Sequence, residues 1–285
     1  MSAKGTLIPI GGNEDKGIEE NEMYTLDFIQ ESILSHVVRE SGGKKAKVVV
    51  IPTASSIPVE VADNYMKAFD KLGCSDIRIV DIRKRKHSEI SEYVKHVEEA
   101  DLVMFSGGDQ SRIVKCIEGT HLHEILANRY MNENFVIAGT SAGAMAMSQE
   151  MIAGGSSQES LIKGAVKMSK GMGLLPGIII DTHFIRRGRF GRVAEALAIF
   201  PNLLGIGLAE DTGLIIKNRN EFRVIGSGMV LVFDPSRLLH NKHNDLPEGT
   251  PISMSNLVVH ILANSDYFSI SDRKIEIGTL EMGLI

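Results

Sequence analysis

Ser141, His183 and a nearby carboxylate are the residues on which hydrolytic chemistry could be built. Ser141 stands in Gly139-Thr140-Ser141-Ala142-Gly143, after the apolar run 135–138 and before the small, helix-favouring Ala144-Met145-Ala146-Met147. Gly-x-Ser-x-Gly between a buried strand and a helix is the nucleophile-elbow pattern. So tight a turn requires a strained serine and neighbours without a Cβ, and it exposes the hydroxyl at the carboxyl end of the sheet. The amide of Ala142, opening the helix, can then face a developing oxyanion. A serine nucleophile needs a base, and the base needs an orienting acid. His183 follows Ile178-Ile179-Ile180-Asp181 and so also lies where a strand ends. Asp181, Glu159 and Glu210 are the candidate acids, and spacing alone does not choose among them. His121, His123, His240 and His243 stand in polar or turn-like contexts without further ligands and read as surface residues.

The elements that must position these groups follow from apolar runs. Residues 6–10, 47–52, 77–82 and 102–105 are short apolar strands, and helical periodicity separates them. Met23, Leu26, Phe28, Ile29, Ile33, Leu34 and Val37 predict one such helix, stopped by Gly42-Gly43. Apolar rather than alternating strands in the order β-α-β-α-β-α-β predict a parallel sheet covered on both faces. Sites in such sheets collect at the carboxyl ends of strands. Three glycine turns belong there: Gly11-Gly12, Ser106-Gly107-Gly108-Asp109-Gln110 and the Ser141 elbow. Residues 153–160 read as a small, polar loop. Beyond residue 205 the segments 213–217, 222–225, 229–233 and 257–263 predict antiparallel strands that extend the same sheet, with 1–285 as one domain.

Bulk properties set the bounds. Among 285 residues, 43% are hydrophobic and 24% charged, which suits a globular chain with a sizeable core. A net charge of -5 argues against a general nucleic-acid binder. Cys74 and Cys116 are too far apart for a C-x-x-C site, so neither a disulfide framework nor a zinc centre is expected. No run approaches the roughly 20 apolar residues of a membrane span. The N-terminus lacks a signal-peptide core, and a cytoplasmic location is the expectation.

Arg186-Arg187-Gly188-Arg189-Phe190-Gly191-Arg192 directly follows the histidine. Arginines grip carboxylates through two parallel hydrogen bonds, so a pocket built here would select a substrate bearing carboxylates near the scissile bond.

Four segments together resemble the serine peptidase family of the cyanophycinases and aspartyl dipeptidases. They are the elbow, Ser106-Gly107-Gly108-Asp109-Gln110, Gly171-Met172-Gly173-Leu174-Leu175-Pro176-Gly177, and Asp181-Thr182-His183-Phe184 through Arg192. The resemblance runs from about Gly11 to Asp211. It implies a three-layer α/β/α fold like that of class I glutamine amidotransferases, and a Ser141, His183, Glu159 triad. It also implies an oxyanion hole from Ala142 and Gly108, and a substrate pocket of Gln110, Asp181, Thr182, Arg187, Arg189 and Arg192. Thr182 stands where the family usually has glutamine. The implied activity is hydrolysis of cyanophycin to β-Asp-Arg dipeptides by a homodimer needing no cofactor or metal. A dipeptidase for Asp-X or isoaspartyl peptides is the alternative within the family, and a silent anionic-peptide-binding protein the alternative outside it. An esterase is disfavoured, since a charged pocket suits an apolar acyl chain poorly.

Overall fold

The computed structural model describes residues 2–18, 24–157 and 159–278. Five parallel strands form its centre: β1 (Thr6–Ile10), β2 (Lys47–Ile51), β3 (Asp76–Ile79), β4 (Leu102–Phe105) and β5 (Val136–Thr140). Helices α1 (Ile33–Glu40), α2 (Pro58–Lys71), α3 (Ser91–Glu99), α4 (Gln110–Ile117) and α5 (His121–Asn132) link them. After the elbow come α6 (Ala142–Met145), β6 (Glu150–Gly155), β7 (Val166–Lys170), β8 (Ile178–Asp181) and α7 (Phe190–Ile199). The remainder is β9 (Leu204–Leu208), β10 (Thr212–Lys217), β11 (Glu221–Gly226), β12 (Val230–Asp234), β13 (Val258–Leu262), β14 (Tyr267–Ser269) and β15 (Lys274–Glu276).

The main sheet runs β15-β14-β11-β10-β1-β5-β4-β2-β3. Its strands β1, β5, β4, β2 and β3 are parallel, and β10, β11, β14 and β15 are antiparallel. Side chains alternate across a strand, so an unbroken apolar run feeds two cores at once. Val48 and Val50 face α1 and α2 together with Tyr65 and Phe69. Val49 and Ile51 pack on the other side with Ile113, Ile117 and Leu122 of α4 and α5. This produces the three layers expected.

The tail departs from the expectation. β10, β11, β14 and β15 extend the main sheet, but β9, β12 and β13 join β8 in a separate four-stranded sheet, ordered β13-β12-β9-β8. Apolar strands of one composition serve either sheet, so composition could not separate them. Leu208 and Phe233 of that sheet nevertheless share an apolar cluster with Phe105 and Ile137 of the main one. Two further expectations need correction. The helix periodicity from Met23 yields a helix only from Ile33, with turns over 28–31; Met23 itself lies outside the described residues. The polar stretch 153–160 begins inside the β6-β7 hairpin, whose glycines and serines hid its strand character; Gln158 lies outside the described residues.

Candidate active site

Register places the site. Ile10 pairs with Thr140, and Phe105 with Gly139, so β1, β4 and β5 end at one level just below Ser141. Ser141 adopts φ 50° and ψ −108°, a conformation that costs a non-glycine residue on the order of 1–3 kcal/mol. Several contacts hold it there. Its amide donates to Ile10 O at 2.8 Å, and its carbonyl accepts from Met145 N at 3.0 Å. A Cβ on Gly139 would lie 2.7 Å from the Gly143 carbonyl carbon, and one on Gly143 would lie 2.6 Å from Phe105 O. Both flanking glycines are therefore steric requirements of the turn.

His183 follows β8, also with positive φ, at 50°. Its amide donates to Gly11 O at 2.9 Å. Its ring lies against Gly12, where a Cβ would come within 2.3 Å of Cε1, so nothing larger than glycine fits there. The Nε2 edge is 3.0 Å from Ser141 Oγ, and Nδ1 is 3.1 Å from Glu210 Oε1. Glu210 sits in the crossing from the second sheet to the main one. Asp211 pins that crossing: its amide donates to Gly12 O at 2.9 Å, and its carboxylate accepts from Ser227 Oγ at 2.6 Å. Burial lowers the His183 pKa from its ordinary 6.5, although the hydrogen bond to Glu210 works against the shift. The imidazole is thus neutral at pH 7, as a general base must be.

The carboxylate beside His183 in this structure is Glu210, and the expected Glu159 lies apart from the ring. Glu159 is exposed on the β6-β7 loop, where its amide donates to Ser156 Oγ at 3.2 Å. A loop between Ser141 and His183 in sequence need not return to the imidazole in space, whereas the sheet crossing at Glu210 does.

The oxyanion candidates lie close to the serine. Ala142 is the first residue of α6, where amides lack intrahelical partners. A Cβ on Gly107 would be 3.4 Å from Ser141 Cβ, so the glycine turn after β4 borders the nucleophile. Gly108 has φ +139°, and a Cβ there would meet Ala54 O at 2.1 Å.

The expected substrate pocket separates into distinct parts. Asp181 is fully buried: Oδ1 accepts from Arg189 Nη1 at 2.8 Å, and Oδ2 lies 3.1 Å from Arg192 Nε, an ion-pair distance without hydrogen-bond alignment. Arg189 Nη1 also donates to Thr182 O at 2.8 Å. Burial pushes the Asp181 pKa up, and Arg192 and Arg189 pull it back. Thr182 is fully buried, with its hydroxyl on Met145 Sδ at 3.5 Å. Asp181, Thr182 and Arg192 are thus buried and Arg189 half-buried, with both arginines drawn to the buried Asp181 carboxylate. Arg187 differs. It is exposed, and among the described residues its guanidinium has no ion pair or hydrogen bond. Gln110, half-buried, donates through Nε2 to Ile152 O at 2.8 Å.

Glu14 was not singled out from sequence. It is 1% exposed, and it accepts from Thr140 Oγ1 at 2.6 Å and Tyr65 OH at 2.5 Å, with Lys16 Nζ at 2.9 Å. An acid directly after the glycine turn of β1 was the signal available. Two histidines also depart from expectation: His243 is buried, and His123 Nε2 is 2.8 Å from Met172 O. Among the described residues no cluster of His, Cys, Asp or Glu could hold a metal ion, and no helix is long and apolar enough to cross a membrane. Cys74 and Cys116 are free and buried.

Known proteins resemble this chain in sequence and in fold. The profile of peptidase family S51 matches residues 25–224. Cyanophycinase of Nostoc sp. (strain PCC 7120 / SAG 25.82 / UTEX 2576) is 35% identical over 275 residues, covering 96% of this chain and 89% of that one. Cyanophycinase of Geminocystis herdmanii (strain PCC 6308) is 34% identical over 266 residues, covering 93% and 94%. A peptidase from an acI-B1 Actinobacterium, of known crystal structure, superposes with a TM-score of 0.62 at 20% identity over 92% of this chain and 98% of that one, a likeness of fold.

Proposed function

The chain belongs to peptidase family S51, and from that footing we propose that it is a serine exopeptidase that hydrolyses cyanophycin, releasing β-Asp-Arg dipeptides. The observation that carries this is the continuous chain from Ser141 Oγ through His183 to Glu210 Oε1, at 3.0 and 3.1 Å, on a strained elbow. Cyanophycin is a poly-aspartate whose β-carboxyls are amide-linked to arginine. Ser141 attacks the α-peptide carbonyl of one aspartyl unit while His183 Nε2 accepts its proton. The imidazolium then donates that proton to the leaving amine, and water repeats the sequence on the acyl-enzyme. Glu210 accepts from Nδ1–H, holding the tautomer and stabilising the imidazolium. The amides of Ala142 and Gly108 bind the oxyanion. Each step uses side chains, amides and the hydrolytic water, so the chemistry requires no cofactor.

Arg187 is the group proposed to meet a substrate carboxylate, supported by its exposure and its lack of any partner among the described residues. Asp181, Arg189 and Arg192 form the floor beneath His183. We further propose that residues 1–285 work as one hydrolytic unit, as a homodimer in the cytoplasm, on the resemblance to the family.

The test is incubation with insoluble cyanophycin followed by mass analysis of the soluble fraction. β-Asp-Arg dipeptide is the expected product. An inert polymer alongside rapid cleavage of Asp-X or isoaspartyl dipeptides would replace this reading with the dipeptidase alternative. Light scattering reads the oligomeric state.

A further inference from the structure

A second basic site lies on the same rim of the main sheet. Thr53, Arg83, Lys84, Arg85, Arg112, Lys115 and Cys116 line a cavity of about 540 Å³. It stands over the carboxyl ends of β2 and β3 and beside α4, which also packs against the elbow helix α6. Five cations in one cavity are unusual in a chain of net charge -5. Few acids answer them. Arg83 Nε is 2.6 Å from Asp81 Oδ1, and Arg112 Nε is 3.9 Å from Asp109 Oδ2. Among the described residues Arg85 reaches only a carbonyl, Glu118 O, at 2.6 Å. Lys84 and Lys115 are exposed and have no acidic partner among the described residues.

Two buried polar atoms are also left without partners among the described residues. Thr53 is 2% exposed, and its Oγ1 has no hydrogen bond; neither has Arg83 Nη2. An orphaned buried polar group is costly unless something outside the chain satisfies it. Cations with unused donors in a cavity are the recognition chemistry of carboxylates and other oxyanions.

The cavity is joined to the catalytic centre. Arg83 Nη1 and Arg112 Nη1 both donate to Ser55 O, at 2.9 and 3.3 Å. The neighbouring Ala54 O accepts from Asp109 N at 3.0 Å, in the glycine turn that borders Ser141. Between β5, which carries Ser141, and β3 lie β4 and β2. At about 4.8 Å per strand the cavity is thus about 10–15 Å from the nucleophile, which an extended peptide covers in about three to five residues.

We propose that this cavity is a distal subsite that binds carboxylates of the polymer several repeats from the scissile bond, a proposal that rests on the cyanophycin reading above. Every repeat carries the free α-carboxylate of its arginine, so a chain held at Ser141 offers the cavity one such group at the right reach. A substrate of only two repeats has a single cleavable bond and cannot span the distance.

The experiment compares the parent enzyme with Lys84→Glu/Lys115→Glu on long polymer and on the two-repeat substrate. Both lysines are exposed and partnerless, so the variant folds. KM for the polymer should rise about tenfold, as expected when two exposed attractions become repulsions, with kcat unchanged. The two-repeat substrate should be processed as by the parent. Inorganic phosphate should raise the parent's KM for the polymer and leave the variant's unaffected. Equal KM values for the polymer within twofold would overturn the proposal. So would a loss of the same size on both substrates, which would place the effect at the catalytic centre. Phosphate binding that the reversal removes without changing polymer affinity would mark a free-anion site and also overturn it. If the parent enzyme leaves the polymer intact, the function reading fails separately. Co-sedimentation of Ser141→Ala with insoluble polymer then decides the subsite: retention that the double reversal abolishes supports it, and retention unchanged by the reversal refutes it.

Discussion

Thr140 donates its hydroxyl to Glu14 Oε2 at 2.6 Å, tying the residue before the nucleophile to a carboxylate that is 1% exposed. Burial acts to raise the Glu14 pKa, but the charge of Lys16 and the hydrogen bonds from Thr140 and Tyr65 outweigh it, and the net shift is downward. The strained Ser141 therefore hangs from an anion fixed by donors on β5, α2 and its own loop. Thr140→Val leaves that anion one donor short, which should cost about 1–3 kcal/mol in urea unfolding. Glu14→Gln should show a second effect. A depressed folded pKa contributes stability that is present above the ordinary carboxyl range and lost as pH falls through the folded value. The parent should lose this stability in acid, and the Gln variant should lack that loss. Superimposable acid limbs would mean Glu14 is not charged in the fold.

The assignment of the acid is tested by two substitutions. Glu210→Gln should reduce kcat by roughly 10⁴, the scale seen when a triad acid loses its charge but keeps its shape. Glu159→Gln, on an exposed loop, should stay within a few-fold. Should Glu159→Gln prove the damaging change, the acid would have to move to Glu159, with the loop closing over the site on binding.

The pH profile follows from His183. Its neutral form is the base, and burial holds its pKa below 6.5. kcat/KM should therefore rise through a midpoint below 6.5 and stay level across neutral pH. Glu210 favours the charged imidazole, so Glu210→Gln should push the midpoint further down. The linked effect on folding has the same sense. A histidine with a depressed folded pKa contributes stability above 6.5 that is lost as pH falls through that value. A midpoint above 7 in the parent would contradict the buried imidazole.

Much of this site was legible in the chain, for physical reasons that differ from residue to residue. The elbow could be read because the steric demand of its turn is written in the two glycines beside Ser141. The central strands could be read because two-sided burial demands unbroken apolar runs, as at Val48-Val49-Val50-Ile51. Glu210 was only one of three candidate acids, because its position depends on where β9 leaves one sheet and β10 enters another. No local pattern encodes that. The orientation of the arginine cluster was illegible for a related reason. Composition showed four arginines near a histidine, but not that fully buried Asp181 would turn two of them inward.

Those two orientations separate the arginines experimentally. Arg187, exposed and unpaired among the described residues, is the one proposed to touch substrate. Lysine there keeps the charge but loses the planar fork that grips a carboxylate twice. Charge-assisted bonds are worth roughly 1.5–3 kcal/mol, so Arg187→Lys should lower kcat/KM for the polymer by about 10- to 150-fold and leave unfolding unchanged. Arg189 and Arg192 should behave oppositely. Each holds Asp181, which is fully buried, at 2.8 and 3.1 Å. Removing one partner of a buried pair typically costs 3–5 kcal/mol, because the remaining charge is stranded. Arg192→Ala should therefore show first as a lower urea midpoint, and any loss of activity should be in kcat, since the histidine above is displaced. An Arg192→Ala enzyme of parental stability but raised KM would return that arginine to the substrate pocket.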